Sequence, residues 1–208
     1  MTEPIAQDAS FADAQIEPSA DRVAGLRARL ADRAAERGLL DVAYRSLETE
    51  LGALLLASTP AGLVSVTFDG AAPDATLERL ATALSPRILE APARLDGAAR
   101  AIDDLIAGRA RAFGEPLDLS LARGFGRDVI ERLREIPYGE TRSYAEVAAA
   151  AGSPRAVRAV GTACRRNPLP VAIPCHRVVR SDGALGQYVG GVEAKRRLLR
   201  IEGAGVAH

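Results

Sequence analysis

Tryptophan is absent from this 208-residue chain, and only two cysteines (Cys164, Cys175) and two histidines (His176, His208) occur. Two cysteines exclude a disulfide framework. Two histidines beside them leave too few ligands for a structural zinc site, so no metal or other cofactor is expected. Long apolar runs are also missing. The longest, such as Leu54–Ala57, fall far short of the ~20 residues that a membrane span needs. The N-terminus carries no basic patch followed by an apolar stretch, so a secretory signal is not expected. These absences point to a reduced, cytoplasmic setting without a membrane partner. What is present is ordinary: 48% apolar and 26% charged residues, enough to bury a sizeable core in one or two domains.

Formal net charge is zero, which taken whole argues against a polyanionic partner. The distribution says otherwise. Residues 1–21 hold five acids and no base, whereas residues 121–208 hold 15 bases and eight acids. Positive charge is thus gathered at the C-terminal end, where a polyanion could dock. All but one of the bases are Arg, Lys195 being the exception; genomic base composition is a sufficient cause of that bias.

The acidic stretch 1–21 has no apolar period and is expected to be a disordered tail. A helix follows from Asp21, with Val23, Leu26 and Leu30 on one face and Gly38 to end it. The period then changes: Val42–Leu47, Leu51–Ser58 and Leu63–Phe68 read as an antiparallel meander, the last two joined by the turn Thr59-Pro60-Ala61-Gly62. Helices are expected at Asp74–Leu84 and Leu95–Ala107, the second with Leu95, Ala99, Ile102 and Ile106 on one stripe. The segment around Pro116 reads as a connection. The expected organisation is therefore a tail (1–21), an N-terminal α/β domain (22–118) and a C-terminal domain (119–208).

The second half opens with a helix whose face is Phe125, Val129, Ile130, Leu133 and Ile136. Ser143-Tyr144-Ala145-Glu146 is a capping box for the next helix, and Gly152 fits its end. Ser153-Pro154 supplies an N-cap and a first-turn proline for a third helix, making a helix-turn-helix signature. On that last helix Val157, Val160 and Cys164 are expected to face inward and Arg155, Arg158 and Arg165 outward. After Asn167-Pro168, the apolar run Val171–Ile173 reads as a short strand leading to Pro174-Cys175-His176. A thiol is a useful nucleophile only as thiolate. His176 is the sole internal base, acting directly or through a water, and a carboxylate could orient it.

The run Pro174-Cys175-His176-Arg177-Val178-Val179, Ser181-Asp182-Gly183, Tyr188-Val189-Gly190-Gly191, Lys195, Leu198-Leu199 and Glu202-Gly203 resembles the O6-alkylguanine-DNA alkyltransferase family. So do Tyr138-Gly139, Ser143-Tyr144, Gly152 to Gly161, and Asn167-Pro168. The likeness is near-continuous over residues 125–203 and weaker over 51–68. It implies an α+β two-domain fold: a ribonuclease-H-like N-terminal domain and a winged-helix-like C-terminal domain with the helix-turn-helix. It implies irreversible, single-turnover transfer of an alkyl group from O6 of guanine, with O4-alkylthymine as a further substrate, in double-stranded DNA. In that scheme Cys175 accepts the alkyl group, His176 is its base through water, Glu202 orients His176, and Tyr144 donates a hydrogen bond or proton to the guanine. Arg158 fills the gap left by the flipped nucleotide, with Arg155 and Arg165 beside it on the DNA. Asn167 braces the active-site turn, Val178 and Val189 offer backbone contacts to the base, and Pro170 and Tyr188 line its pocket. A monomer is implied as well; the sequence leaves open whether it binds cooperatively along DNA. Gln187 and Val189 depart from the family pattern and bear on alkyl-size tolerance. Two other readings of the residues stay open: a lesion sensor that flips guanine without chemistry, and a thiol hydrolase built on Cys175, His176 and Glu202.

Overall fold

The computed structural model describes residues 19–69 and 72–205, so the tail reading over residues 1–18 lies outside the described residues. Its last residues belong to a helix: the Ser19 hydroxyl accepts from Arg22 N and starts α1 (Ala20–Glu36). Only Ala31 of α1 is deeply buried. Leu26 and Leu30, expected to face a core, are 54% and 56% exposed.

A four-stranded sheet follows, in the order β3-β2-β1-β4. β1 (Val42–Thr49), β2 (Gly52–Thr59) and β3 (Gly62–Thr67) form the expected antiparallel meander. β4 (Ile88–Glu90) pairs parallel to β1 and was not foreseen, because three residues are too short to show a period. α2 (Asp74–Ala83) links β3 to β4. A 3-10 turn (Pro92–Leu95) then leads into α3 (Asp96–Ile106), whose Ala99, Ile102 and Ile106 pack with Leu95 in the core as the stripe required. The connection after α3 lies along β3, with Leu63 N donating to Pro116 O at 2.9 Å.

The rest is helical: α4 (Gly124–Leu133), α5 (Tyr144–Ala150), α6 (Val157–Arg165) and α7 (Gly191–Ile201). This is the mixed, two-domain α+β architecture that the sequence implied. The capping box at α5 is present in both directions: the Ser143 hydroxyl accepts from Glu146 N, and Glu146 accepts from Ser143 N. α6 starts later than expected. Ala156 N donates to Ser153 O at 2.8 Å, closing a β-turn with Pro154 at its second position, so Ser153-Pro154 is a turn and not a helix cap. The inward stripe consequently outruns the core by one turn: Val160 and Cys164 are buried, but Val157 is 38% exposed. A two-residue parallel ladder, β5 (Arg142–Ser143) with β6 (Val178–Val179), ties the start of α5 to the segment after Cys175. One continuous apolar core runs from Leu54, Leu56 and Ile102 to Val129, Leu133, Val160 and Ile173. No helix among the described residues is long and apolar enough to cross a membrane.

Candidate active site

The site is assembled by the chain between α6 and β6. Asn167, just past the end of α6, is buried and spends both ends of its amide locally. Its Oδ1 accepts from Leu169 N and its Nδ2 donates to Ile173 O, both at 3.0 Å. Ile173 N in turn donates to Leu169 O at 2.8 Å. The result is a tight turn, not the strand expected over Val171–Ile173. Val171 sits at φ 71°, a conformation that a β-branched residue adopts only when its surroundings force it. This turn delivers Pro174 and then a 3-10 turn, Cys175–Arg177.

His176 and Glu202 meet there, Nε2 to Oε1 at 2.8 Å. Glu202 also takes a two-pronged grip from Arg177, Nε to Oε2 and Nη2 to Oε1, each 2.9 Å. Gly139 N donates to Oε2 at 3.3 Å, and Arg177 Nη1 to Ile136 O at 2.6 Å. Burial would raise the Glu202 carboxyl, but the hydrogen bonds from His176 and Arg177 and their charge bring it down to about 2. An ionised carboxylate can only accept, so Nε2 must carry the proton and Nδ1 the lone pair. Burial lowers His176 below the usual imidazole range, against the pull of Glu202, so the ring is neutral at pH 7. Nδ1 is buried and has no protein partner among the described residues. It is the nitrogen free to take a proton.

Cys175 is 2% exposed, and burial pushes its thiol up to about 11; a hydrogen bond from Asn167 and the Lys195 ammonium work the other way. The resting sulfur is therefore neutral. Tyr144, the first residue of α5, is raised to about 12 by burial, with the Cys164 and Cys175 sulfurs adding to it. Its ring lies under the 180s loop: a Cβ on Gly186, which has φ +66°, would fall 2.8 Å from the Tyr144 hydroxyl oxygen. Tyr188 of the same loop packs edge-on between Phe68 and His176, at ring-centroid distances of 5.9 and 6.2 Å. Pro170, Val178 and Tyr188 are buried in this shell, whereas Val189 is exposed. Its side chain faces a cleft of about 330 Å³ shared with Arg165, Arg166 and Asn167.

The structure thus brings Cys175, His176, Glu202, Asn167, Tyr144 and Tyr188 together and places the arginine-bearing helix beside them. Arg155 and Arg158 are exposed, and neither forms an ion pair among the described residues. Arg165 is held back, reaching Gln187 Oε1 at 3.4 Å and Thr162 Oγ1 at 3.3 Å. Two clefts flank the site, one of about 490 Å³ between α4 and α6 and the one beside Val189, and neither has Cys175 in its wall. Sequence reasoning missed the Arg177 clamp and the burial of Lys195. The first had no signal beyond adjacency to His176, and the second had the singular lysine.

Three comparisons bear on this arrangement. The family model for the 6-O-methylguanine DNA methyltransferase DNA-binding domain matches residues 124–204. The methylated-DNA–protein-cysteine methyltransferase of Methanosarcina barkeri is 38% identical over 162 residues, spanning 76% of this chain and 96% of that protein. The chain belongs to the methylated-DNA–protein-cysteine methyltransferase family. The constitutive Bacillus subtilis enzyme is also 38% identical, over 76% of this chain and 94% of its own length. The crystal structure of Mycobacterium tuberculosis OGT in complex with DNA superposes with a TM-score of 0.64 at 36% identity, covering 77% of this chain and 92% of that one. Every group of the site described above except Phe68 lies within the matched segment, from α4 to Glu202.

Proposed function

We propose that the protein repairs alkylated duplex DNA by direct reversal, moving the alkyl group from O6 of guanine onto Cys175 and keeping it. The observation that carries this reading is a single buried network, Cys175 beside His176–Glu202–Arg177, joined by a two-residue ladder to a helix-turn-helix with free arginines.

The chemistry follows from the geometry. The target carbon needs in-line attack by a soft nucleophile, and the Cys175 thiol supplies one once its proton leaves. His176 Nδ1 takes that proton, through a water, while Glu202 holds Nε2–H and steadies the imidazolium that forms. The S–C bond forms as the C–O6 bond breaks, and the electron pair falls onto the purine. Tyr144, held neutral by its raised proton affinity, meets that charge as a hydrogen-bond donor, and the proton taken up by His176 is released to the departing guanine through water. The net proton passes from sulfur to guanine. The product thioether has no good leaving group, so each molecule acts once. No cofactor takes part.

Reaching the carbon requires base extrusion, at a few kcal/mol. Arg158 enters the stack in place of the lost base; Arg155 and Arg165 grip the flanking backbone; and Val178 and Val189 meet the flipped base through their main chain, with Pro170 and Tyr188 as walls. Asn167 braces the turn beneath. In this reading residues 22–118 and 119–208 are the two domains, the protein is a cytoplasmic monomer, and O4-alkylthymine is a second substrate. Incubation with O6-methylguanine duplex and intact mass measurement tests it. One methyl gained per molecule and lost in Cys175→Ser supports it; multiple turnover, or a methyl still gained by Cys175→Ser, refutes it.

A further inference from the structure

All but one of the 27 basic residues are arginine, and the single lysine occupies a singular place. Lys195 is 0% exposed, on the face of α7 that packs against the Cys175 turn. Its Nζ donates to the Val178 carbonyl, and it forms no ion pair among the described residues. A buried ammonium without a counter-ion costs several kcal/mol. Nothing in the packing calls for it, since a methionine of similar length would fill the same space. The ionisable side chains within its electrostatic reach are Cys175 and His176 from the 3-10 turn and Cys164 from α6, and no carboxylate is among them. Of these, Cys164 lies on the core stripe of α6 and has no part in the transfer.

We propose that Lys195 is an electrostatic positioning residue for the alkyl transfer: its ammonium is the standing counter-charge for the negative charge that develops on the Cys175 sulfur, and its bond to Val178 O fixes the strip of backbone against which the guanine docks. The inference rests on the function proposed above. Lys195 keeps its proton throughout: the thiol proton goes to His176, and the ammonium only lowers the cost of the separated charge. A compact ammonium suits this role better than a guanidinium, whose charge is spread over a planar fork. Burial lowers Lys195 to about 8, with the cysteine sulfurs opposing, so it is charged at neutral pH and loses its charge soon above.

The test uses a Cys164→Ala background, so that one thiol is read, and follows the rate of Cys175 alkylation by iodoacetamide at pH 7, where the ammonium is charged. Lys195→Met is expected to slow that alkylation about 10-fold and transfer from methylated duplex about 10²-fold, and the alkylation gap is expected to close as pH rises above 8. Lys195→Arg keeps a charge and is expected to stay within about threefold of the parent rate. An unslowed alkylation at pH 7 in a folded Lys195→Met protein overturns the proposal. If Lys195→Met does not fold, a 10-fold loss in Lys195→Arg overturns it and a held rate supports it. A slowed alkylation in a protein that accepts no methyl from DNA would sink the repair reading and leave the electrostatic pairing intact.

Discussion

Single side chains decide the chemistry, and Glu202 shows how. It is shared by His176 and Arg177, so its loss strips a buried guanidinium of its counter-ion. Glu202→Gln is expected to cost about 3–5 kcal/mol in a denaturant melt and to slow transfer by about 10²-fold or more. The sign with pH follows. Glu202 is depressed from 4.5 to about 2, so its stabilisation is complete above pH 4.5 and fades as pH falls toward 2; acid unfolding should lose that window in Glu202→Gln. His176 is shifted the opposite way to a simple ion pair, downward, because burial outweighs Glu202. Its neutral form is the base, so the acid limb of the wild-type transfer rate should lie below pH 6.5. A limb at or above that value would mean that Glu202 outweighs burial. Gly186 offers a second residue-level check. An alanine there meets both a left-handed backbone and the Tyr144 hydroxyl, so Gly186→Ala should slow transfer about 10²-fold while duplex affinity holds.

At the scale of elements, α6 and the turn behind it carry the division of labour. Arg158→Ala should depress repair of duplex far more than reaction with the free alkylated base, because only duplex leaves a gap to fill; equal losses would remove Arg158 from the stack. Legibility in the sequence differed by element. The capping box at Ser143–Glu146, the meander and the Ala99–Ile102–Ile106 stripe were readable, since each is a local pattern with a local cause. β4 was not, because three residues borrow their conformation from the partner strand β1. Nor was the Asn167 turn: Val171–Ile173 has strand composition, yet the Asn167 amide takes the hydrogen bonds a ladder would need. Ser153-Pro154 satisfied the grammar of a helix start and equally that of a β-turn, and the turn won. Of the site, Cys175, His176 and Glu202 were legible from their motif, but the Arg177 grip joins residues that no spacing rule connects.

For the whole molecule, charge segregation sets the behaviour on DNA. Exposed arginines on one face neutralise phosphates and release counterions, so affinity for undamaged duplex should fall steeply with salt, by about 10³-fold or more from 50 to 200 mM if six phosphates are met. A flat response in a binding titration would place the DNA elsewhere. The sheet is not a bystander to the site: Phe68, next after β3, packs on Tyr188 and leaves no room for a side chain at Gly190, where a Cβ would fall 2.3 Å from its ring. Gly190→Ala should therefore lower stability by about 1–3 kcal/mol and loosen the loop over Cys175, read as a lowered melting temperature.

α7 has a bearing on how the molecule is born. The groups that tune the sulfur, Lys195 and Glu202, both leave the ribosome after Cys175 does, and they reach it only when the last helix docks. Until then the nascent thiol is an exposed, ordinary one, with more thiolate at neutral pH than the buried sulfur of the folded protein. A repair reagent that can be spent only once is therefore most open to stray electrophiles during synthesis, and burial of the sulfur ends that window.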